Sequence, residues 1–196
     1  MNFQSQYFEI VGDSKSAKIV VSCGFSSKTY TETDIETHIA QPVLRVKYTE
    51  YTQNLAKDVY AIENPNSKLA AEVKLWETLS DSMVDYLKSI NFSGTLIGKS
   101  AGGPVMYLAA SKYLKLNESH SLTCLALQAP APGLVYSRLK IEKIYLGWQA
   151  NDARVSFQFS VPTAESLGEV CMVYPGTDHT LVPQFVKDVA SKVTME

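Results

Sequence analysis

Hydrophobic and polar positions follow two different periods along the chain, and the two periods alternate. Apolar runs predict strands at residues 3–11, 18–23, 43–48, 92–97, 122–127, 141–148 and 170–174. Apolar residues at helical spacing from Leu69 to Leu87 predict one long helix, and helices are also predicted at 31–40, 101–114 and 181–193. Strands that alternate with helices form a mainly parallel sheet covered on both faces, so the pattern predicts an α/β fold.

Two regions break this alternation. The first two strands are joined by the polar turn at residues 12–16, which predicts a hairpin-like opening. Residues 49–67 are polar, contain several tyrosines and include Asn64-Pro65-Asn66. They are therefore predicted to be a loop that holds at most one helical turn.

Composition narrows the classes of function. The 196 residues are 45% hydrophobic, which predicts one domain over residues 1–196 with a single buried core. The net charge of −2 gives no basic field, so neither nucleic acid nor an anionic membrane surface is indicated as a partner. Cys23, Cys124 and Cys171 lie in apolar runs, which is typical of reduced core thiols, and no leader-like or membrane-length segment is apparent. We therefore expect a cytoplasmic protein without membrane insertion.

One short motif stands between a predicted strand and a predicted helix. The sequence Gly98-Lys99-Ser100-Ala101-Gly102 has the G-x-S-x-G pattern, and Gly103 follows it. On a strand-to-helix turn this pattern is a nucleophile elbow, because the turn raises the serine hydroxyl above the sheet edge and the glycines allow close backbone approach. The alternative is that Ser100 is an ordinary helix N-cap, which leaves the glycines unexplained.

A serine nucleophile requires a base that takes its proton and a carboxylate that orients that base. Asp152 follows the sixth predicted strand, and His179 follows the seventh. The carboxyl ends of parallel strands meet at one sheet edge, so we expect both side chains near Ser100. Asp178 competes with Asp152 as the acid, but adjacent side chains rarely face each other, and Asp152 is preferred.

With this order of serine, aspartate and histidine, the chain resembles the α/β-hydrolase superfamily over nearly its whole length. The resemblance implies that Ser100 is the nucleophile, Asp152 the orienting acid and His179 the general base. It also implies a minimal version of that fold, because the segment 128–140 between two predicted strands has no room for a helical cap domain.

The resemblance further implies an oxyanion hole built from backbone amides. Ala101 would supply one amide, and Gly24 or Phe25, in the loop after the second strand, would supply the other, with Phe25 preferred. The family often has His-Gly in that loop, whereas this chain has Cys23-Gly24-Phe25-Ser26. Cys23 is predicted to be a buried small hydrophobe.

Lys99 is a second departure, because relatives often have histidine, aspartate or an aromatic residue before the serine. A lysine there would lower the pKa of the serine or attract an anionic group of the substrate. The alternative is a solvated surface lysine.

An uncapped site is open and shallow, which favours small or short-chain esters and thioesters, or an acyl group presented on a larger carrier. Aromatic residues near the site would form a substrate wall or simply pack a long loop: Phe25, Tyr30, Tyr48, Tyr51 and Tyr60.

The sequence therefore predicts a serine hydrolase, of carboxylesterase or thioesterase type, that needs no cofactor. Three alternatives stay open: a non-catalytic protein of the same fold that binds a ligand or partner, acyl transfer to an acceptor other than water, and peptide hydrolysis. A metal site is not indicated, because His38 has no second histidine or cysteine at ligand spacing. A phosphate-binding loop is excluded, because Ser93 stands where its first glycine is required.

Overall fold

The computed structural model describes residues 5–25 and 42–193. Within these residues, seven strands form one sheet: β1 (Phe8–Val11), β2 (Ile19–Ser22), β3 (Val43–Tyr48), β4 (Thr95–Lys99), β5 (Cys124–Gln128), β6 (Lys143–Gln149) and β7 (Cys171–Tyr174). Their order across the sheet is β1-β3-β2-β4-β5-β6-β7. Only β1 runs antiparallel to its neighbour, and the other pairings are parallel. The mainly parallel α/β sheet predicted from the sequence is therefore confirmed.

Helices follow most of the strands, and several begin at recognisable caps. They are α1 (Glu50–Tyr60), α2 (Pro65–Ser89), α3 (Gly102–Leu116), α4 (Ser160–Leu167) and α5 (Pro183–Val193), with a 3-10 turn at Phe157–Phe159 before α4. The side chain of Thr49 accepts the amide of Thr52 at the start of α1, and that of Asn64 accepts the amide of Ser67 at the start of α2.

Two hydrophobic clusters lie on opposite faces of the sheet, because alternate strand residues point to opposite sides. On one face, Leu96 and Leu125 belong to a large cluster with α2 and α3, which includes the fully buried Leu79. On the other face, Ile97 belongs to a smaller cluster with Phe185 of α5. The strands in the centre of the sheet are covered on both sides, and every residue of β4 and β5 is buried.

Two expectations about individual elements differ from the structure, and one helix was not expected. The hairpin-like opening is wrong, because β1 pairs with β3 and not with β2. The loop predicted at 49–67 is also wrong, because α1 and the start of α2 occupy most of it and α1 buries Thr52, Ala56 and Val59. Helix α4 was not predicted at all. The helix predicted at 31–40 lies outside the described residues.

Candidate active site

The turn between β4 and α3 places Ser100 in an uncommon backbone conformation. Its φ is 54°, in the left-handed region that residues with a side chain rarely adopt. The Ser100 amide donates to the carbonyl oxygen of Gln128 at 3.1 Å, and its own carbonyl oxygen accepts the amides of Gly103 and Ala131, each at 2.9 Å. The strained turn is thus held by its own helix and by the end of the neighbouring strand.

Three glycines around this turn leave no space for a side chain. A Cβ on Gly98 would lie 2.7 Å from the carbonyl oxygen of Gly102, and one on Gly102 would lie 2.3 Å from that of Ser22. A Cβ on Gly103 would lie 2.6 Å from Cβ of Pro130. The glycines therefore permit the close approach that the sequence pattern implied, with β2 against the first turn of α3.

The structure brings the predicted serine, histidine and aspartate together. Nε2 of His179 lies 2.9 Å from Oγ of Ser100, and Nδ1 of His179 lies 2.7 Å from each carboxylate oxygen of Asp152. With these neighbours, the neutral imidazole that fits both contacts carries its proton on Nδ1 and accepts the serine hydroxyl at Nε2.

Asp152 is fixed by the backbone that follows it. Its Oδ1 accepts the amides of Arg154 at 2.9 Å and Val155 at 2.8 Å, and its side chain is completely buried. Asp178, the competing acid, instead accepts Gln149 Nε2 through Oδ1 and the Thr180 hydroxyl through Oδ2. Of the two carboxylates, Asp152 is the one that contacts the imidazole.

His179 is buried, and its backbone is also left-handed, with φ 55°. Burial lowers the pKa of its imidazole below the ordinary value, the hydrogen bond to Asp152 opposes this shift, and the charge of Lys99 adds to it. A lowered pKa keeps Nε2 unprotonated at neutral pH, which is the state that accepts a proton.

The residues predicted for the oxyanion hole lie around the serine. Ala101 follows Ser100 directly and precedes the first residue of α3, where helical amides have no partner within the helix. A Cβ on Gly24 would lie 3.9 Å from Oγ of Ser100, so the loop after β2 passes beside the hydroxyl. The next residue, Phe25, is buried, with its ring edge-on to Tyr48 at 5.0 Å between centroids.

Lys99 differs most from its sequence interpretation. It is 0% exposed, and its ammonium donates to the backbone carbonyl oxygen of His179. The interpretation of Lys99 as a solvated surface lysine is therefore wrong. Because the ammonium has no exposed surface, the structure also argues against contact with an anionic group of the substrate.

Two glutamines that the sequence analysis missed bind the loop that carries His179. Nε2 of Gln128 donates to the carbonyl oxygen of Thr180 at 2.8 Å, and its Oε1 accepts the amide of Val182 at 2.7 Å. Gln149 binds Asp178, as described above. Lys99, Gln128 and Gln149 are the last residues of β4, β5 and β6. A polar residue that ends each of three neighbouring buried strands was the available signal.

The aromatic residues near the site take different roles. Tyr48 is buried and packs against Phe25, as the ordinary packing interpretation requires. Tyr60 is 43% exposed and stacks on Phe25 at 6.5 Å between centroids, whereas the exposed Tyr51 lies against Tyr7. Tyr30 lies outside the described residues.

The part of the chain that the structure describes gives no support for a cysteine nucleophile or a metal site. Burial raises the pKa of Cys23 to about 12, so it stays a thiol. Within residues 5–25 and 42–193, no cluster of histidine, cysteine, aspartate or glutamate is arranged to hold a metal ion. His38 is outside those ranges. None of the described helices is both long and apolar enough to span a membrane.

Comparison with known proteins yields structural similarity without sequence similarity. No protein-family model matches the chain, and no curated protein matches it in sequence. Est1E from Butyrivibrio proteoclasticus is 14% identical with a TM-score of 0.60, over 100% of this chain and 99% of that one. YbtT, a type II thioesterase from the yersiniabactin NRPS/PKS biosynthetic pathway, is 11% identical with a TM-score of 0.59, over 94% and 96%.

A third similar structure is the Bacillus cereus carboxylesterase, 15% identical with a TM-score of 0.53, over 95% of this chain and 93% of that one. Identities this low establish the fold alone. The chain has the α/β-hydrolase fold, in a small form in which residues 129–142, between β5 and β6, contain no helix.

Proposed function

We propose that this α/β-hydrolase-fold protein is a serine hydrolase that cleaves a small or short-chain carboxylic ester or thioester through an acyl-enzyme on Ser100. One observation carries the proposal: the continuous hydrogen-bonded path from Oγ of Ser100 through His179 to Asp152, on a strained turn. A helix-capping serine needs neither a histidine acceptor nor a buried carboxylate behind that histidine.

Acylation begins when Oγ of Ser100 attacks the carbonyl carbon of the substrate. Nε2 of His179 takes the hydroxyl proton, and Asp152 stabilises the imidazolium that forms. The carbonyl oxygen becomes an oxyanion, for which the amides of Ala101 and of Phe25 or Gly24 are the donors that we propose. The tetrahedral intermediate then collapses, and the imidazolium gives its proton to the departing alcohol or thiol.

Deacylation repeats these steps with water. Nε2 of His179 takes one proton from a water molecule whose oxygen attacks the acyl carbonyl carbon. The second tetrahedral intermediate releases the carboxylic acid, and Oγ of Ser100 regains its proton from the imidazolium. The cycle consumes one ester or thioester and one water, and it needs no cofactor.

The surroundings of the serine support a short acyl group or one presented on a larger carrier. The connection at 129–142 has no helix that would enclose a long chain. Tyr60 and Phe25 form a partly exposed aromatic surface. Phe25 directly follows Gly24, which lies beside Ser100. This surface is the substrate wall that we propose.

Fluorophosphonate labelling followed by intact-mass measurement tests the proposal. We expect one adduct on the wild-type protein, no adduct on Ser100→Ala and a strongly slowed reaction on His179→Ala. Ser119→Ala is the matched control and should label like the wild type, because Ser119 lies on an exposed turn far along the chain from the site. A panel of p-nitrophenyl esters and acyl thioesters of increasing chain length then defines the acyl group.

A folded wild-type protein that forms no adduct would contradict the proposal and would favour a ligand-binding protein of the same fold. Labelling with no hydrolysis, but with product formation after an alcohol or amine is added, would indicate acyl transfer instead.

A further inference from the structure

Lys99 has an unusual environment for a lysine. It is the last residue of β4, immediately before Ser100, and its side chain is completely buried. Its ammonium donates to the carbonyl oxygen of His179, and no carboxylate among the described residues forms an ion pair with it. Burial lowers its pKa, the carboxylates of Asp152 and Asp178 oppose that shift, and the charge of Arg154 adds to it.

A buried ammonium without a paired carboxylate is unfavourable for folding, because desolvation of the charge is not offset by a strong partner. An apolar side chain of similar length would fill the same space without that penalty. A lysine at position 99 therefore contributes little to the stability of the fold. The role of Lys99 lies instead in the group that its ammonium binds.

The ammonium holds the backbone of the residue that carries the imidazole. The backbone of His179 is in the left-handed region. The same strained backbone therefore sets the direction of both its carbonyl group and its side chain. The carbonyl group of the next residue, Thr180, is held by Gln128, and Lys99 and Gln128 are register partners on β4 and β5. Two consecutive carbonyl groups are thus fixed by two adjacent strand ends.

We propose that Lys99 is a positioning residue, which holds the carbonyl group of His179 so that the imidazole meets Ser100 and Asp152 together. This inference rests on the proposed function, in which His179 is the general base. Lys99 does not touch the substrate; it acts through His179. Displacement of a catalytic group by about 1 Å lowers rates by about a hundredfold, so loss of the anchor has a measurable effect.

The charge of Lys99 adds a second effect that a purely space-filling side chain would not have. The ammonium lowers the pKa of His179, as does Arg154, and the bond to Asp152 raises it. Removal of the Lys99 charge makes the imidazolium more favourable. The acid limb of the pH profile of Ser100 labelling then moves to higher pH.

The test compares Lys99→Met with the wild type and with Lys115→Met, which makes the same change at an exposed position of α3. Three quantities are measured: the second-order rate constant of fluorophosphonate labelling against pH, the titration of the His179 imidazole by NMR, and Tm. For Lys99→Met we expect a labelling rate reduced between about tenfold and a hundredfold and an acid limb at higher pH. We expect a Tm close to that of the wild type, because removal of a buried charge offsets the loss of the donor to the His179 carbonyl group.

Any other combination overturns the proposal. An unchanged rate means that Lys99 does not hold His179, an unmoved acid limb means that its charge does not tune the imidazole, and a rate that falls together with Tm means that the residue is structural. If Lys99→Met does not fold, Lys99→Leu, which also lacks a donor for the His179 carbonyl group, is measured by the same criteria.

If the wild type does not label at all, the proposed function fails. The NMR signal of the His179 Nδ1 proton, which reports the hydrogen bond to Asp152, then decides the positioning role. A weakened or shifted signal in the Lys99 variant supports the role, and an unchanged signal overturns it.

Discussion

Both carboxylate oxygens of Asp152 lie 2.7 Å from Nδ1 of His179. One of these oxygens also accepts the amides of Arg154 and Val155 from the turn that follows β6. The carboxylate is therefore fixed by its own backbone, and the imidazole, which comes from a different loop, is oriented against it. Asp152 therefore sets the orientation of the His179 imidazole.

Asp152→Asn is expected to reduce kcat/KM by about a thousandfold to ten-thousandfold, because an amide at this position favours the wrong tautomer of His179. The amide oxygen can still accept the Arg154 and Val155 amides, so Tm should change little. Hydrolysis of p-nitrophenyl acetate measures the effect. Asp178→Asn is the matched control, and we expect a loss below about tenfold. A larger loss for Asp178→Asn than for Asp152→Asn would transfer the acid role to Asp178.

The acid limb of the wild-type pH profile should have its midpoint below 6.5, the ordinary pKa of histidine. Burial disfavours the imidazolium, so Nε2 of His179 remains unprotonated and able to accept a proton at a lower pH than in an exposed histidine. Measurement of kcat/KM from about pH 5 to about pH 9 gives the midpoint. A midpoint at or above 6.5 would show that the bond to Asp152 outweighs burial.

Gly102→Ala is expected to lower the free energy of unfolding by roughly 2–3 kcal/mol, because the new Cβ would overlap the backbone of Ser22 and neither segment can move freely. Gly168→Ala is a matched control at the C-cap of α4: Gly168 has φ +69° but nothing within 4 Å of the added Cβ. Only the left-handed strain of about 1 kcal/mol applies there. Urea unfolding measures both, and equal losses would contradict the steric explanation.

Gln128→Met should destabilise the protein and slow Ser100 labelling together. Methionine leaves the carbonyl group of Thr180 and the buried amide of Val182 without their present partners, at about 1–3 kcal/mol each. Gln184→Met is the control, because Gln184 is exposed and binds only Asp188, and its effect should stay within about 0.5 kcal/mol. An unchanged stability in Gln128→Met would mean that water replaces the glutamine.

Long-range organisation of the fold was accessible from the sequence where burial is strongest. The continuous buried runs of β4 and β5 and the apolar stripe of α2 are dictated by the faces that these elements bury. Helix α1 was missed because only Thr52, Ala56 and Val59 are buried, and two of these three favour strands when taken alone. The pairing of β1 was missed because a short polar turn suggests a neighbour close in sequence, whereas the partner is β3.

The candidate site was accessible because its chemistry leaves a pattern in the chain. Ser100 lies between glycines, and Asp152 and His179 each follow a strand. Lys99 was misjudged because a charge usually indicates solvent, although its strand parity with Ile97 places it on the covered face of β4. The polar residues that end β5 and β6 were a signal for Gln128 and Gln149, but the groups that they bind are set by loop geometry, which local sequence does not encode.

The position of β7 makes the contact between His179 and Ser100 more fragile than the fold itself. Among the described strands, β7 pairs with β6 alone, Val173 on it is 54% exposed, and the loop that carries His179 leaves from its end. Sheet edges open locally at a lower free energy than the core, so His179 can separate from Ser100 while the central strands stay intact. We expect rising urea to abolish labelling of Ser100 before far-UV circular dichroism changes. Labelling would then report on the integrity of one edge of the sheet, long before the molecule as a whole denatures.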